Sequence, residues 1–393
     1  MKFSVENAAF TKLWDSVEGP TIIRMILNDP DLLYVKPHYY STAFRMGRYV
    51  PTDETGLASF SVEAQLPTHS TVMDLRQPMG EGKPLEEGEA FGYSGSIRGF
   101  IAPTYNETAT ARWQKEKLMK KYGSDAAILK GFATNELAPR VESGYQTLDY
   151  MAIRAETTFK CRYDVGRGGS SNIYAIPAEY RQYEKAGAKA WTDKTADILT
   201  TVMKIQEKYW LKWGIEIPMK IKMPEDYFKN VWMTNEGIIN TLKMNWLTAQ
   251  GQLVAGTENV SNWVITAENF NRYVAAAIPD FPTIELVKSK QMDKGKLIDP
   301  WEDGIVVMCP TGFAGEILRT DTQDEELYSR FANNACQFAF ARTADDLMVV
   351  MNSVLPNGNL KEWHTKVYMD AVPCLTDFMY RVLIDTKTAG AIV

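Results

Sequence analysis

One stretch limits what this chain can become more than any other. Residues 46–101 contain "VPTDETGLASFSVEAQLPTHSTVMDLRQPMGEGKPLEEGEAFGYSGSIRGFI", which is rich in Gly, Pro and acid, with only short apolar alternations. Connections without structure of their own rarely exceed about 12–15 residues inside a compact domain. This segment is far longer, yet it carries too few apolar residues to build a core. The reading that remains is an extended two-stranded excursion whose packing partner lies elsewhere, an odd feature for a monomer.

The chain on either side has ordinary folding material. Residues 1–45 read as an arm with a short helix, in which Ile22, Ile23, Ile26 and Leu27 recur at helical spacing before Pro30. "NETATARWQKEKLMKKYG" suits a helix capped by Asn106, with cationic residues late and Gly123 beyond its end. A second helix near Gly144 to Lys160 aligns Leu148, Ala152, Ala155 and Phe159. From about Thr195 the pattern mixes α and β. "ADILTTVMKIQEKYWLKWG" reads as a helix, and "IEIPMKIK" alternates as a strand, with Ile215, Ile217, Met219 and Ile221 inward and Lys220 and Lys222 outward. "PEDYFKNVWMTNEGIINTLKMNWL" opens as a helix N-terminus does, with Pro224 followed by two acids. Ile305–Met308 is a short buried strand, and "QFAFAR", "LMVVMNSVL", "WHTKVYMDAV" and "FMYRVLID" close the chain as strands. The fold class is α+β.

"YDVGRGGSSNIYAI", residues 163–176, poses the sharpest chemical question: does it hold a phosphate or turn a chain? Gly166, Gly168 and Gly169 match neither GxxxxGK[ST] nor GxGxxG, and both flanks read as strands. Gly, Ser and Asn between short strands is hairpin chemistry. "GYSGS" at 92–96 mimics a nucleophile elbow, but Ser96 stands where the second glycine belongs. His38, His69 and His364 have no metal-like partner at i+3 or i+4, which favours surface or packing roles. Cys374 with His364 could form a nucleophile only if assembled from distant parts, and free cysteines are usually buried hydrophobes. Asp345-Asp346 and Glu86-Glu87 suit solvation or salt bridges, and "WQKEKLMKK" a solvated helix face. No catalytic, cofactor-binding or metal residue is assigned, and no cofactor is expected.

Composition narrows the class further. The 393 residues are 45% hydrophobic and 23% charged, with a net charge of −6, which disfavours a module whose main task is gripping nucleic acid. Cys161, Cys309, Cys336 and Cys374 form no CxxC pair, and the N-terminus lacks an export signal, so free thiols in an intracellular chain are expected. No apolar run of about 18 residues is present to span a membrane.

The order of these elements resembles the major capsid proteins of tailed bacteriophages with the Hong Kong 97-type fold, closest to the branch of the phage lambda major head protein. An arm precedes a long loop and a helical region, and the glycine-rich hairpin falls where that family has one after its spine helix. "KAWTDKTADI", "MPEDYFKNVW", "WEDGIVVMCPTGFAGEILRT" and "EWHTKVYMDAVPCLTDFMYRVLID" are similar in order to the family's later segments. The resemblance implies an N-terminal arm (1–45), an extended hairpin loop (46–101), a peripheral domain with a spine helix and long strands (102–195 and 336–393) and an axial domain (196–335). It implies a non-enzymatic chain forming hexamers and pentamers in a closed icosahedral shell around packaged double-stranded DNA. A separate scaffolding protein, a portal and decoration proteins would be its partners, the virion its location, and the host cytoplasm its place of assembly. The Lys–Asn cross-link of some members finds no matching donor, acceptor and Glu here. Within such a shell the acidic loop would meet a basic face on a neighbour, with Arg112, Lys115, Lys117, Lys120 and Lys121 as candidates. Two other readings stay open: an encapsulin-like nanocompartment shell, and a cytosolic α/β enzyme whose site comes from distant residues.

Overall fold

A computed structural model describes residues 19–28, 38–53, 58–65, 90–97, 99–102, 105–107, 117, 131, 133–163, 171–249, 266–293, 295–321, 337–357 and 360–392. In chain order, α1 (Gly19–Asn28) and α2 (Tyr39–Ala43) lead into β1 (Phe44–Tyr49), followed by β2 (Ala58–Gln65), β3 (Ala90–Ile97), β4 (Phe100–Ile101) and β5 (Tyr105–Glu107). A π-helical turn, Ala133–Leu137, opens the long helix α3 (Ala138–Thr158), and β6 (Lys160–Tyr163), β7 (Ser171–Ala175) and β8 (Gln182–Lys185) come next. Then follow α4 (Ile198–Trp213), β9 (Met219–Pro224), α5 (Glu225–Asn230), α6 (Glu236–Ala249) and α7 (Ala267–Ala277). The strands β10 (Thr283–Val287), β11 (Gln291–Asp293), β12 (Lys296–Ile298), β13 (Ile305–Pro310) and β14 (Gly315–Arg319) precede the last five. These are β15 (Gln337–Arg342), β16 (Met348–Asn357), β17 (Leu360–Met369), β18 (Ala371–Leu375) and β19 (Val382–Asp385). The class is α+β, as expected.

The chain divides into two compact units, each gathered from three stretches: Met1–Phe60, Gly95–Met151 and Ile317–Pro373 in the first, and Ser61–Ser94, Ala152–Glu316 and Cys374–Val393 in the second. In the first unit, β15, β16 and β17 form an antiparallel meander, from Gln337 opposite Val354 to Met348 opposite Met369. The short β4 and β5 pair with the far side of β17. Helix α3 approaches this meander at Gly144, where an added Cβ would lie 2.3 Å from Met348 Sδ. Only a residue without a side chain permits so close a helix–sheet contact.

Asn106 shows tertiary pairing overriding a local signal. It sits in β5 opposite His364 instead of capping a helix, because the open edge of β17 offers backbone partners that a lone cap cannot match. Glu107 follows it in β5, and the rest of that expected helix lies outside the described residues, save exposed Lys117.

The second unit is built on a five-stranded mixed sheet in the order β10-β9-β13-β19-β8. Its core joins Trp191, Val202, Trp232, Phe270, Ile221 and Val306 from the sheet and the helices around it. Asp197 caps α4 by accepting from Thr200 N–H (3.2 Å), and Gly214 closes it at φ 68°. The strand expected from Ile215 starts only at Met219, since Pro218 has no N–H to give a ladder and Ile215 is exposed. The helix expected from Pro224 breaks after Asn230 and restarts at Glu236. Asn235 explains the restart: its side chain accepts from Ile238 N–H (3.0 Å) and donates to Ala196 O (2.8 Å).

Candidate functional site

The hairpin question resolves first. β6 and β7 pair antiparallel from Lys160 opposite Ala175 to Tyr163 opposite Ser171. The glycines between them lie outside the described residues, but their flanks are a hairpin, not the strand and helix that a phosphate loop requires. The stretch turns the chain. Residues 92–96 lie within β3, so no strand-to-helix elbow exists there.

β2 and β3 pair with each other and, among the described residues, join no larger sheet. This ribbon is the extended excursion seen in sequence. Ala58, Phe60, Val62, Tyr93 and Ile97 are buried, while Ser59, Ser61, Glu63 and Ser94 are exposed, so alternation places one face inward and one in water. In the second unit Tyr93 anchors the ribbon. Its ring stacks on Tyr174 (4.7 Å between centroids) and meets Phe378 edge-on (5.4 Å), and its hydroxyl donates to Leu375 O at 2.9 Å. Burial pushes both phenols well above their ordinary range, so they stay protonated donors.

The described residues also hold two buried polar networks, one in each unit. In the second unit, Glu156 on α3 accepts from Lys222 Nζ (2.9 Å) and from an Arg381 amino group (2.8 Å). Arg381 also grips Asp377 with two bonds, at 3.1 and 2.7 Å. Glu156 and Arg381 are 0% exposed and Lys222 1%, so these charges compensate one another away from water. Burial pulls the Arg381 guanidinium down, but Asp377 and Glu156 more than reverse this and keep it charged. Lys222 thus departs from the outward position that the strand alternation assigned to it. The readable signal was at the other end: an acid, Glu156, beside the apolar stripe of α3 demands a distant base.

The second network lies in the first unit around His38. Its Nδ1 meets Asp149 Oδ2 at 2.9 Å and its Nε2 meets Glu142 Oε2 at 3.2 Å. The histidine is buried, and its partners follow it by 111 and 104 residues, beyond any local motif. His69 lies outside the described residues, and His364 sits in β17. Cys161, Cys309 and Cys374 are buried and form no disulfide among the described residues, and burial raises the Cys161 and Cys309 thiols. Cys374 offers no exposed nucleophile, and Cys336 is outside the described residues. Asp346 pairs with Arg319 (2.7 Å) and Arg342 (3.2 Å), as its salt-bridge reading required. Of the proposed acidic loop and basic helix, most charges are outside the described residues. Among the described residues no group of three or more His, Cys, Asp or Glu could hold a metal, and no helix is long and apolar enough to cross a membrane.

The sequence matches no family model and no curated protein. Among solved structures, the chain is similar to one described as a capsid protein of an Escherichia coli CFT073 prophage, at 11% identity and a TM-score of 0.49, covering 93% of this chain and 98% of that one. It is also similar to the capsid of Ralstonia phage GP4 (11%, TM-score 0.41, 90% and 92% covered) and to the capsid of Myoviridae phage XM1 (10%, TM-score 0.40, 90% and 94% covered). Each of these three solved structures carries a description as a capsid chain of a phage or prophage.

Proposed function

We propose that this chain is a shell-forming capsid protein of the Hong Kong 97-type fold, without enzymatic activity, whose copies close into the icosahedral head of a tailed phage. The observation that carries the reading is the β2–β3 ribbon. It joins no larger sheet among the described strands, and with its apolar face already buried in its own chain, the polar face is the one left for a neighbour. Its inner face is anchored through Tyr93, while Ser59, Ser61 and Glu63 present a polar strip. A neighbouring subunit that covers such ribbons repeatedly around a closed ring satisfies every copy at once, which is the economy of symmetric assembly.

On this reading the subunits form hexamers and pentamers, residues 196–335 act as the axial domain, and double-stranded DNA fills the interior. Residues 102–195 with 336–393 form the peripheral domain. A scaffolding protein, a portal and decoration proteins act in the host cytoplasm before the virion is complete.

Electron microscopy after size-exclusion chromatography tests the reading, with the chain expressed alone and with its scaffold, beside a variant in which a short Gly-Ser link replaces residues 66–89. Shells or capsomer rings from the full chain, lost in the shortened variant, are expected. A compact monomer under both conditions overturns the proposal. Shells that enclose a protein cargo in place of DNA would make the protein a nanocompartment.

A further inference from the structure

We propose that His38, clamped between Asp149 and Glu142, is a charge-operated latch that fastens the Tyr39–Ala43 turn, and with it β1, to helix α3, and that raising the pH opens it. The argument starts from proton counting. A neutral imidazole carries one N–H and one lone pair, so one of its nitrogens would face a carboxylate with no proton between them. Here both ring nitrogens meet carboxylates, at 2.9 and 3.2 Å, and only the imidazolium donates to both. The same Asp149 carboxylate accepts Tyr40 N–H through its other oxygen at 2.8 Å. One side chain therefore ties the ring and the backbone of the turn to the helix.

Every element packed against the ring contributes. From α3 come Glu142, Tyr145 and Asp149, one and two turns apart on a single face. From the turn itself comes Tyr40, whose ring lies nearly parallel to the imidazole at 5.9 Å, while Tyr145 lies at 5.0 Å. From the β15–β16 connection comes Asp345, which accepts from Tyr40 Oη (3.3 Å) and from Thr343. The next residue, Asp346, is already held by Arg319 and Arg342. Two carboxylates, Asp149 and Glu142, thus flank one cation, and a third, Asp345, is bonded to the hydroxyl of the stacked Tyr40. When His38 loses its proton, the remaining charge is negative and partly shielded from water. Burial alone pulls the imidazole's pKa down, but Asp149 and Glu142 outweigh it and carry it from 6.5 to about 9. The latch is closed below 6.5 and opens as the pH rises through about 9.

The test uses the full chain with labelled histidines, followed by solution or solid-state NMR from pH 6 to 10. The sequence has 3 histidines, and His38→Gln identifies the signal. One imidazole titrating well above the ordinary range and absent in that variant is expected. Glu142→Gln should shift the same signal down by about one unit or more, and it serves if His38→Gln fails to fold. Amide exchange supplies the mechanical readout, with Val50 N–H, bonded to Arg319 O, as the reference. Protection of Tyr40 N–H relative to Val50 N–H should fall at least about tenfold between pH 6.5 and pH 10. Ordinary titration of all the histidines, or a constant protection ratio, would overturn the latch. Neither outcome depends on whether the chain builds shells.

Discussion

The two buried networks solve the same problem in different ways. Around Arg381 the second unit sets two cations, Arg381 and Lys222, against two carboxylates, Glu156 and Asp377, all nearly sealed from water. Around His38 the first unit sets one titratable cation between two carboxylates, Asp149 and Glu142, with the Glu142 side chain 31% exposed. In the balanced network the two cations and two carboxylates compensate one another, so it acts as a fixed joint. The unbalanced one depends on a proton whose affinity lies within reach of ordinary buffers. Burial makes both networks costly to break, but only the stoichiometry of charge makes one of them adjustable.

The largest effect should come from breaking the balanced network. Arg381→Met leaves Glu156 and Asp377 facing each other without their shared cation, and about 3–5 kcal/mol of stability should be lost in urea titrations. The loss is best read at pH 6.5, and one smaller than that of His38→Gln would erase the contrast between the networks. Next comes His38→Gln. The folded pKa is raised, so its contribution is complete below 6.5 and vanishes as the pH rises through about 9. The stability gap between the natural chain and the variant should be about 3 kcal/mol at pH 6 and close to nothing above pH 10.

Tyr93→Phe sharpens the comparison from a neutral bond. Losing the hydroxyl's 2.9 Å bond to Leu375 O should cost about 1 kcal/mol without any dependence on pH, as thermal unfolding at several pH values would show. The smallest change is Thr266→Ala, which removes the side-chain oxygen that accepts from Asn269 N–H at the start of α7. About 0.5–1 kcal/mol is expected, and a larger loss would mean that the helix end carries more than its cap.

Legibility in the sequence followed the range of the forces involved. "QFAFAR" became β15 at its own boundaries, because a short alternating run with a hydrogen-bonded neighbour needs nothing more distant to specify it. Leu148, Ala152 and Ala155 of α3, and Phe159 just past its end, are all buried. The helix nevertheless begins earlier than Gly144, since Arg140 and Glu142 give no apolar rhythm at its start. Its end was equally obscure: Phe159 takes a left-handed φ of 56°, a strain its sequence does not announce, offset by full burial of the ring. His38 and Lys222 were beyond reach for a different reason. Local periodicity places a polar residue outside, and only a partner from another part of the chain can draw it in. The ribbon was visible for the opposite cause, because a deficit of core-forming residues is a property of the segment itself.

The strand order of the second unit also governs when it can exist. β19 lies between β13 and β8, pairing Val382 with Gln182 on one side and with Met308 on the other. A ribosome that has delivered everything through β18 has therefore made four of the five strands, yet the sheet still has a gap in its middle. Until β19 arrives, Val306, Val307 and Met308 keep one ladder edge unpaired, in the slow, long-range class of folding events. A nascent chain cannot complete that sheet ahead of time. Whatever surfaces the finished sheet presents become available only once β19 has paired on both of its sides.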